Sequence, residues 1–519
     1  MNPLLFQAPI LAMLLCLLGS FLCVLLGMIM GRRAVELLSG AMTAATVLLS
    51  SLALINVYLL EGPYVYYMGG WPPPVGIPYV IDRFSVPLSL VVSVIFFATM
   101  VYSVRYLERD RDVKWYYSLR FLMQAGMYGL LFTGDMFHIF VMLELMGLSA
   151  ILLVPFRKEV KAAVEAGIKY GIYDILAISI YYLSTAMIFG MFGSMTIAEI
   201  SAKLGGYVSP FSGGMFADPS ALPVIVALVV WSFAIGAAIV PQHFWLPDAH
   251  SMAPSSISAI LSGLLVQVNI AVLARILYDG FAAGSHPGGA VGLQLLVILG
   301  VASSLVGASF MLVQSDIKRL IAYSTITNLG FIAIGLGVGT SLGVSAAYLH
   351  IVNHAFVKAS LFMIAGVFIH ATGSREIGAL RGISKALPGT SLLYTIGTLA
   401  AIGFPPLSMF WSKLLLLLSV LSAGGAYQYL VLPMVISIVF ESIAQIRLLA
   451  VIYSGEKREV NCHPSLPVIL SIGIMISIIV VTGLMPGLLL EFGHLAADDL
   501  LNVSGYVDLV LKSFNYPAP

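Results

Sequence analysis

The sequence predicts an all-α polytopic membrane protein, and three observations predict it. Of its 519 residues, 60% are hydrophobic and only 9% charged, with a mean hydropathy of +1.01; soluble globular domains carry about 25% charged residues. Its apolar runs repeatedly reach the ~20 residues that cross a bilayer as helix. Its basic residues are also unevenly distributed: loops after odd-numbered spans hold eighteen, and loops after even-numbered spans only Arg83, Lys203 and Arg275. The eighteen are Arg32, Arg33, Arg105, Arg109, Arg111, Lys114, Arg120, Arg157, Lys158, Lys161, Lys318, Arg319, Arg375, Arg381, Lys385, Arg447, Lys457 and Arg458. That asymmetry is the positive-inside pattern.

Taken in order, the spans lie near 4–30, 34–60, 84–107, 116–133, 136–156, 167–192, 221–240, 252–278, 291–313, 320–338, 342–370, 389–418, 429–453 and 466–489. Fourteen crossings with positive inside place both termini outside the cytoplasm. The first run, from Leu4 to Met30, is too long for the ~7–15-residue core of a signal peptide and follows no basic stretch. It is therefore expected to be a transmembrane helix. The seventh and twelfth spans meet proline and polar residues near membrane depth. With 25 Lys+Arg against 24 Asp+Glu, the charge balance gives no sign of a nucleic-acid partner. Cys16, Cys23 and Cys462 form no CxxC and no Cys/His cluster, so neither a metal site nor a disulfide framework nor a cofactor is expected.

A charge at the bilayer centre costs ~2.5–3.5 kcal/mol on insertion scales, so each one asks for a reason. The expected set comprises Glu144 in span five, Lys169 and Asp174 in span six, and His350, His354 and Lys358 in span eleven. Lys413 in span twelve and Glu441 in span thirteen complete it. Lys169, close to the start of its span, can alternatively snorkel to the interface. Glu144 and Lys358 lie too deep for that. His350, His354 and Lys358 recur every four residues and share one helix face. Cations at that spacing repel, so at least one is expected to be neutral, as suits a proton carrier. The alternative is a pair of hydrogen-bonded core histidines below a lysine paired elsewhere. A His-xxx-His metal pair lacks a third ligand at useful spacing.

Pro241, Pro247 and Pro254 surround the end of span seven, and Pro405-Pro406 sits inside span twelve. Proline removes a backbone donor, so at membrane depth it implies an unwound helix buried in protein. Breaks at matching places in two halves point to inverted repeats around an ion path. Ala166-Gly-Ile-Lys169 and Ala355-Phe-Val-Lys358 echo each other five spans apart.

These residues also carry a resemblance. Pro241-Gln-His243-Phe-Trp-Leu-Pro-Asp-Ala-His250 with Ala253-Pro254 resembles a signature of antiporter-like subunits, found in respiratory complex I, Mrp sodium/proton antiporters, and membrane-bound hydrogenases and sulfur reductases. Asp316-Ile-Lys-Arg-Leu-Ile-Ala-Tyr-Ser-Thr325, Asn353-His-Ala-Phe-Val-Lys358, and Gly69-Gly-Trp-Pro-Pro-Pro with Asp82 resemble further segments of that family. The D-type Mrp protein is the nearest by length and by the Gly-Gly-Trp loop. The resemblance implies fourteen helices, with spans four to eight and nine to thirteen as inverted five-helix repeats and helices seven and twelve broken. In residues, this gives N-terminal helices at 1–115, repeats at 116–280 and 291–455, and a last helix with a short tail at 456–519. It implies a Glu/Lys/His axis for protons or sodium ions, to which Glu144, His243, His354, Lys358 and Lys413 belong. Its partners would be other membrane subunits, among them any that carry redox centres, with no catalytic site in this chain. The tail after Pro486 is too short for the lateral helix of the distal complex I member.

Two positions depart from the family pattern. Gly236 stands where a seventh-helix lysine is usual, and Gln267 where many members have an eighth-helix lysine. Glu144 then needs another partner, with Lys169 the remaining candidate, or sits neutral; Asp174 is not expected from the pattern. Three functions stay open on these grounds: an ion-translocating subunit, a structural subunit that has lost pumping, and an independent secondary transporter of an organic solute.

Overall fold

The computed structural model describes residues 3–108, 110–209, 213–215 and 219–512; Arg109, one of the eighteen basic residues above, lies outside them. The chain opens with α1 (Pro3–Ile29) and α2 (Arg32–Ile55). A hairpin of β1 (Tyr64–Tyr67) and β2 (Pro78–Ile81), with Tyr64 opposite Ile81, leads into α3 (Ser85–Tyr106). Next come α4 (Val113–Phe132), α5 (Met136–Leu153), α6 (Lys161–Phe192) and the short α7 (Ile197–Leu204). They are followed by α8 (Leu222–Gly236), α9 (Trp245–Met252), α10 (Ser255–Ile260) and α11 (Val266–Arg275). Wide π turns at Leu261–Leu265 and Ile276–Gly280 join and extend α10 and α11 into one rod. Then come α12 (Pro287–Met311), α13 (Ile317–Val338), α14 (Ser341–Thr372) and the one-turn α15 (Ile383–Ala386). The chain closes with α16 (Pro388–Ile402), α17 (Ser408–Ala423), α18 (Val431–Tyr453), α19 (Leu466–Leu484), α20 (Pro486–Leu501) and α21 (Val503–Leu511).

Among the described residues, eleven helices are long and apolar enough to cross a membrane. The expected fourteen stretches are helical, but three fall short of that measure for identifiable reasons. α4 carries Lys114, Arg120 and Gln124 and is less apolar. α8 and α17 are each too short, because the chain unwinds at 237–244 and again at 403–407, around Pro241 and around Pro405-Pro406. The twelfth expected span is thus two helices, α16 and α17.

Two helix triplets, α5–α6–α8 and α13–α14–α16, share matching features. α6 and α14 each run for 32 residues, and each ends on a glycine in the left-handed region, Gly193 at φ 62° and Gly373 at φ 71°. Only glycine adopts that cap without a Cβ clash. Asp135 and Asp316 cap α5 and α13, accepting from the backbone N–H of His138 and of Lys318, both at 2.8 Å. Beside those caps, Met136 N–H bonds Met195 O and Ile197 N–H bonds Gly134 O, while Ile317 N–H bonds Arg375 O and Ile377 N–H bonds Ser315 O. α8 and α16 are both 15 residues long.

The α10–α11 rod, α13 and α14 are buried along nearly their whole length, whereas α1, α2, α18 and α19 show exposed leucines and other apolar side chains. An outer apolar shell around an inner polar-bearing core is what a lipid solvent requires. Two of the eighteen basic residues assigned above to loops after odd-numbered spans are instead internal. Arg120 lies within α4, buried, donating to Phe96 O at 2.8 Å and Thr99 Oγ1 at 2.9 Å. Lys318, at the start of α13, donates to Ala253 O at 2.6 Å. Without them the asymmetry is still sixteen to three. Arg275, at the end of α11, is buried against Asp82, at 2.8 Å, and fastens the hairpin loop to the helical core.

Candidate functional site

The second triplet and the broken pair α16–α17 surround a connected row of buried polar groups. α14 is 32 residues long, about 48 Å at 1.5 Å per residue, and Lys358 is its eighteenth residue, so it falls at mid-helix. Its Nζ donates to Ser324 Oγ on α13. Ser324 Oγ in turn donates to Glu441 Oε1 on α18 at 2.6 Å, and Asn328 Nδ2, one turn along α13, donates to the same oxygen at 2.9 Å. Lys413 Nζ, on α17 just past the break, holds Glu441 Oε2 at 2.7 Å and Ala401 O at 2.7 Å. That carbonyl belongs to the last turn of α16 and is one of the helix-end acceptors with no partner further along the helix. The break therefore gives Lys413 its second acceptor.

The two histidines extend the row along α14. Asn328 turns its nitrogen to Glu441, so its Oδ1 accepts from His350 Nε2 at 3.1 Å, and His350 Nδ1 lies 2.9 Å from Ser412 Oγ. His354, one turn on, has its ring centroid 6.4 Å from that of His350. Gln267 Nε2 donates to His354 Nδ1 at 2.7 Å, leaving the His354 proton on Nε2, which has no partner among the described residues. Gln267 is thus a neutral hydrogen-bond partner of His354. The wide turn before it brings Gly263 against the Ala355 backbone; a Cβ there would lie 2.8 Å from Ala355 O.

The first triplet is arranged differently. Asp174 on α6 packs against Gly147 on α5, where a Cβ would lie 2.6 Å from Asp174 Oδ2. Gly147 is one turn beyond Glu144, and the two acids interact electrostatically. Neither has a hydrogen-bond or ion-pair partner among the described residues. Lys169 does not supply one. It is the ninth residue of α6, which begins at Lys161 and is far longer than the ~20 residues a bilayer needs. Half exposed, it pairs with Glu165 at 2.8 Å and Asp248 at 3.1 Å, and Arg319 shares Asp248 at 2.7 Å. The snorkelling alternative therefore describes it, and the expectation of a buried Lys169 partner for Glu144 gives way. The four-residue echo gives way with it, since Lys169 is the ninth residue of its helix and Lys358 the eighteenth of an equally long one. Counted from the starts of these two equally long helices, Asp174 and His354 are each the fourteenth residue.

His243 lies in the break after α8, buried between Phe244, Phe310 and Tyr323. It is not joined to the Lys358–Lys413 row. Sequence reading missed Ser324 and Asn328, which join that row; their i, i+4 spacing on a buried helix was the available signal. It also passed over His250, which is fully buried and stacks on Phe362 with centroids 4.7 Å apart.

A multi-pass membrane fold with a buried row of acid, lysine and histidine side chains across proline-broken helices defines an antiporter-like membrane protein. A family model described as NADH:quinone oxidoreductase/Mrp antiporter, transmembrane, matches residues 133–441; the chain belongs to that family. It is 33% identical over 399 residues to the N-type subunit of NADH-quinone oxidoreductase from Desulforudis audaxviator, covering 76% of this chain and 77% of that one. It is 26% identical over 512 residues to the D-type subunit of the Na(+)/H(+) antiporter from Bacillus subtilis, covering 97% and 99%. Among solved structures, an archaeal membrane-bound sulfane sulfur reductase contains a chain that superposes with a TM-score of 0.89 at 29% identity, over 97% of this chain and 100% of that one. A chain of the Mrp complex from Dietzia sp. DQ12-45-1b shares the fold, with a TM-score of 0.84 at 23% identity and coverage of 96% and 99%.

Proposed function

We propose that this chain is the ion-translocating subunit of a multi-subunit membrane complex, of the Mrp type or redox-driven, and that its second half conducts protons. The observation that carries this reading is the unbroken contact series Lys358–Ser324–Glu441–Lys413. A proton leaving Lys358 Nζ is taken by Ser324 Oγ while the hydroxyl proton of Ser324 passes to Glu441 Oε1. Neutralised, Glu441 holds Lys413 less strongly, so the state of one end of the row is felt at the other. His350 and His354 continue the row toward Gln267 on the rod between the halves. Redox centres, where the complex has them, belong to other subunits.

The reading includes fourteen crossings with both termini extracytoplasmic, the short α8 and the α16–α17 pair counting as crossings. It includes inverted repeats at 116–280 and 291–455, between N-terminal helices at 1–115 and a closing segment at 456–519. The matched caps at Asp135 and Asp316, the matched bonds beside them and the equal lengths of α6 and α14 support the repeats. Cysteines placed at Arg105 and at Asp508 and labelled from each side test the topology. Opposite sidedness is expected; labelling of both from one side contradicts it.

A second reading, a subunit whose first half no longer pumps protons, is favoured by one observation: no cation pairs with Glu144 among the described residues. Two adjacent acids in a low-dielectric site do not both carry charge, and this reading takes Glu144, with no ion-pair partner among the described residues, to be uncharged. Glu144→Gln is then expected to leave flux within about twofold of wild type, since it exchanges one neutral hydrogen-bonding group for another. Flux into vesicles, at equal abundance of the complex, is the readout. A large loss would show that Glu144 is a charged station of the pathway.

A further inference from the structure

We propose that three buried hydroxyls on α16, those of Ser391, Tyr394 and Thr398, form the port through which the polar row exchanges protons with the surface at Pro388–Gly389. This rests on the translocation reading and gives the row its opening. Ser391, Tyr394 and Thr398 recur at i, i+3 and i+7 and so share one face of the helix. Ala401, whose carbonyl holds Lys413 Nζ at 2.7 Å, lies one turn further along that face. All three hydroxyl residues are 0% exposed. The Tyr394 hydroxyl faces that of Thr398, and the Tyr394 ring packs on Phe368 of α14 with centroids 5.4 Å apart. Ser391 lies in the first turn of α16, two residues from the exposed Gly389. Its Oγ has no hydrogen-bond partner among the described residues.

The helix packed against α16 carries the same signal. Tyr453, at the end of α18, meets Thr395 of α16 hydroxyl to hydroxyl at 3.0 Å, so Gln445 lies on the Pro388 side of Glu441, one turn along the same face. Gln445 is 0% exposed, and neither atom of its amide has a hydrogen-bond partner among the described residues. A buried polar group left without a partner is destabilising, and apolar side chains would fill the same space without that cost. Hydroxyls both donate and accept, as a proton path requires, and none of these four side chains carries a charge that would hold a metal ion. The transfers balance. With Glu441 neutralised by the proton from Ser324, Lys413 gives up a proton toward Thr398. Each hydroxyl takes a proton on an oxygen lone pair as it passes its own to the next, and Ser391 hands one to the surface. Lys413 is left neutral beside a neutral Glu441, so no charge is stranded in the core. The reverse sequence reloads it.

The test compares proton flux in sealed vesicles carrying the intact complex, at matched abundance, for wild type, Tyr394→Phe, Thr398→Val, Thr398→Ser and Lys358→Met. Tyr394→Phe keeps the ring on Phe368 and Thr398→Val keeps the side-chain shape. Both are expected to assemble normally and to lose flux at least about tenfold, on the scale of one hydrogen bond removed from the path. Thr398→Ser, which keeps the hydroxyl, is expected to conduct like wild type. Wild-type flux in either Tyr394→Phe or Thr398→Val overturns the port. So does an equal loss in Thr398→Val and Thr398→Ser, which would mean that packing and not the hydroxyl matters. Lys358→Met separates the port from the reading it rests on. An inactive Lys358→Met beside unimpaired hydroxyl variants removes the port alone; a conducting Lys358→Met beside impaired hydroxyl variants keeps the port and removes the route through Lys358.

Discussion

Lys358→Ala is expected to reduce proton flux by at least about a hundredfold, the scale on which positioned proton-transfer groups contribute to rate. Lys358 is fully buried and its Nζ is the donor to Ser324, which in turn donates to Glu441. Removing it takes the first proton from the row and leaves Ser324 nothing to pass on. Lys358→Met, which keeps the apolar stem and avoids most of the cavity cost, is expected to assemble like wild type and to be equally inactive. Flux in sealed vesicles, normalised to complex abundance, separates lost conduction from lost protein. Recovery of flux in the Met variant would mean that only the packing of this side chain mattered.

Lys413→Ala is expected to do two things at once. Glu441 is 0% exposed and Lys413 4%, and their contact at 2.7 Å is the only ion pair Glu441 makes among the described residues. Deleting one partner of a buried pair costs about 3–5 kcal/mol because the other charge is left uncompensated, so complex abundance falls together with flux. Replacing both, as Lys413→Met with Glu441→Gln, removes the stranded charge. That double variant is expected to restore abundance in native gels without restoring flux. A double variant that both assembles and conducts would show that the pair serves structure alone.

How much of this was legible in the sequence differs between the two halves. Composition, run length and the placement of basic residues were enough for the membrane class, because the bilayer imposes those rules on every crossing residue. The buried set His350, His354, Lys358 and Lys413 could be named because charged residues in apolar runs stand out, and the α14 spacing put three on one face. Their connections could not be named. Ser324 and Asn328 are common residues whose role comes from which helix packs against α13, a tertiary fact. Lys169 misled for the opposite reason: its local sequence resembles that around Lys358, but α6 begins six residues earlier than hydropathy suggested and lifts Lys169 out toward Asp248. Arg120 and Lys318 misled in the same way, because a basic residue near a span end is read as a loop residue until its acceptor is seen. Gly236 was visible as a missing lysine, but Asn269 filling the space beside it was not.

The most direct test of the central claim is proton flux into vesicles carrying the complex with Lys358→Met, compared with wild type and with Glu144→Gln at matched abundance. Conduction through the second half predicts that Lys358→Met is inactive while Glu144→Gln stays near wild type. Near-normal flux in Lys358→Met would contradict it.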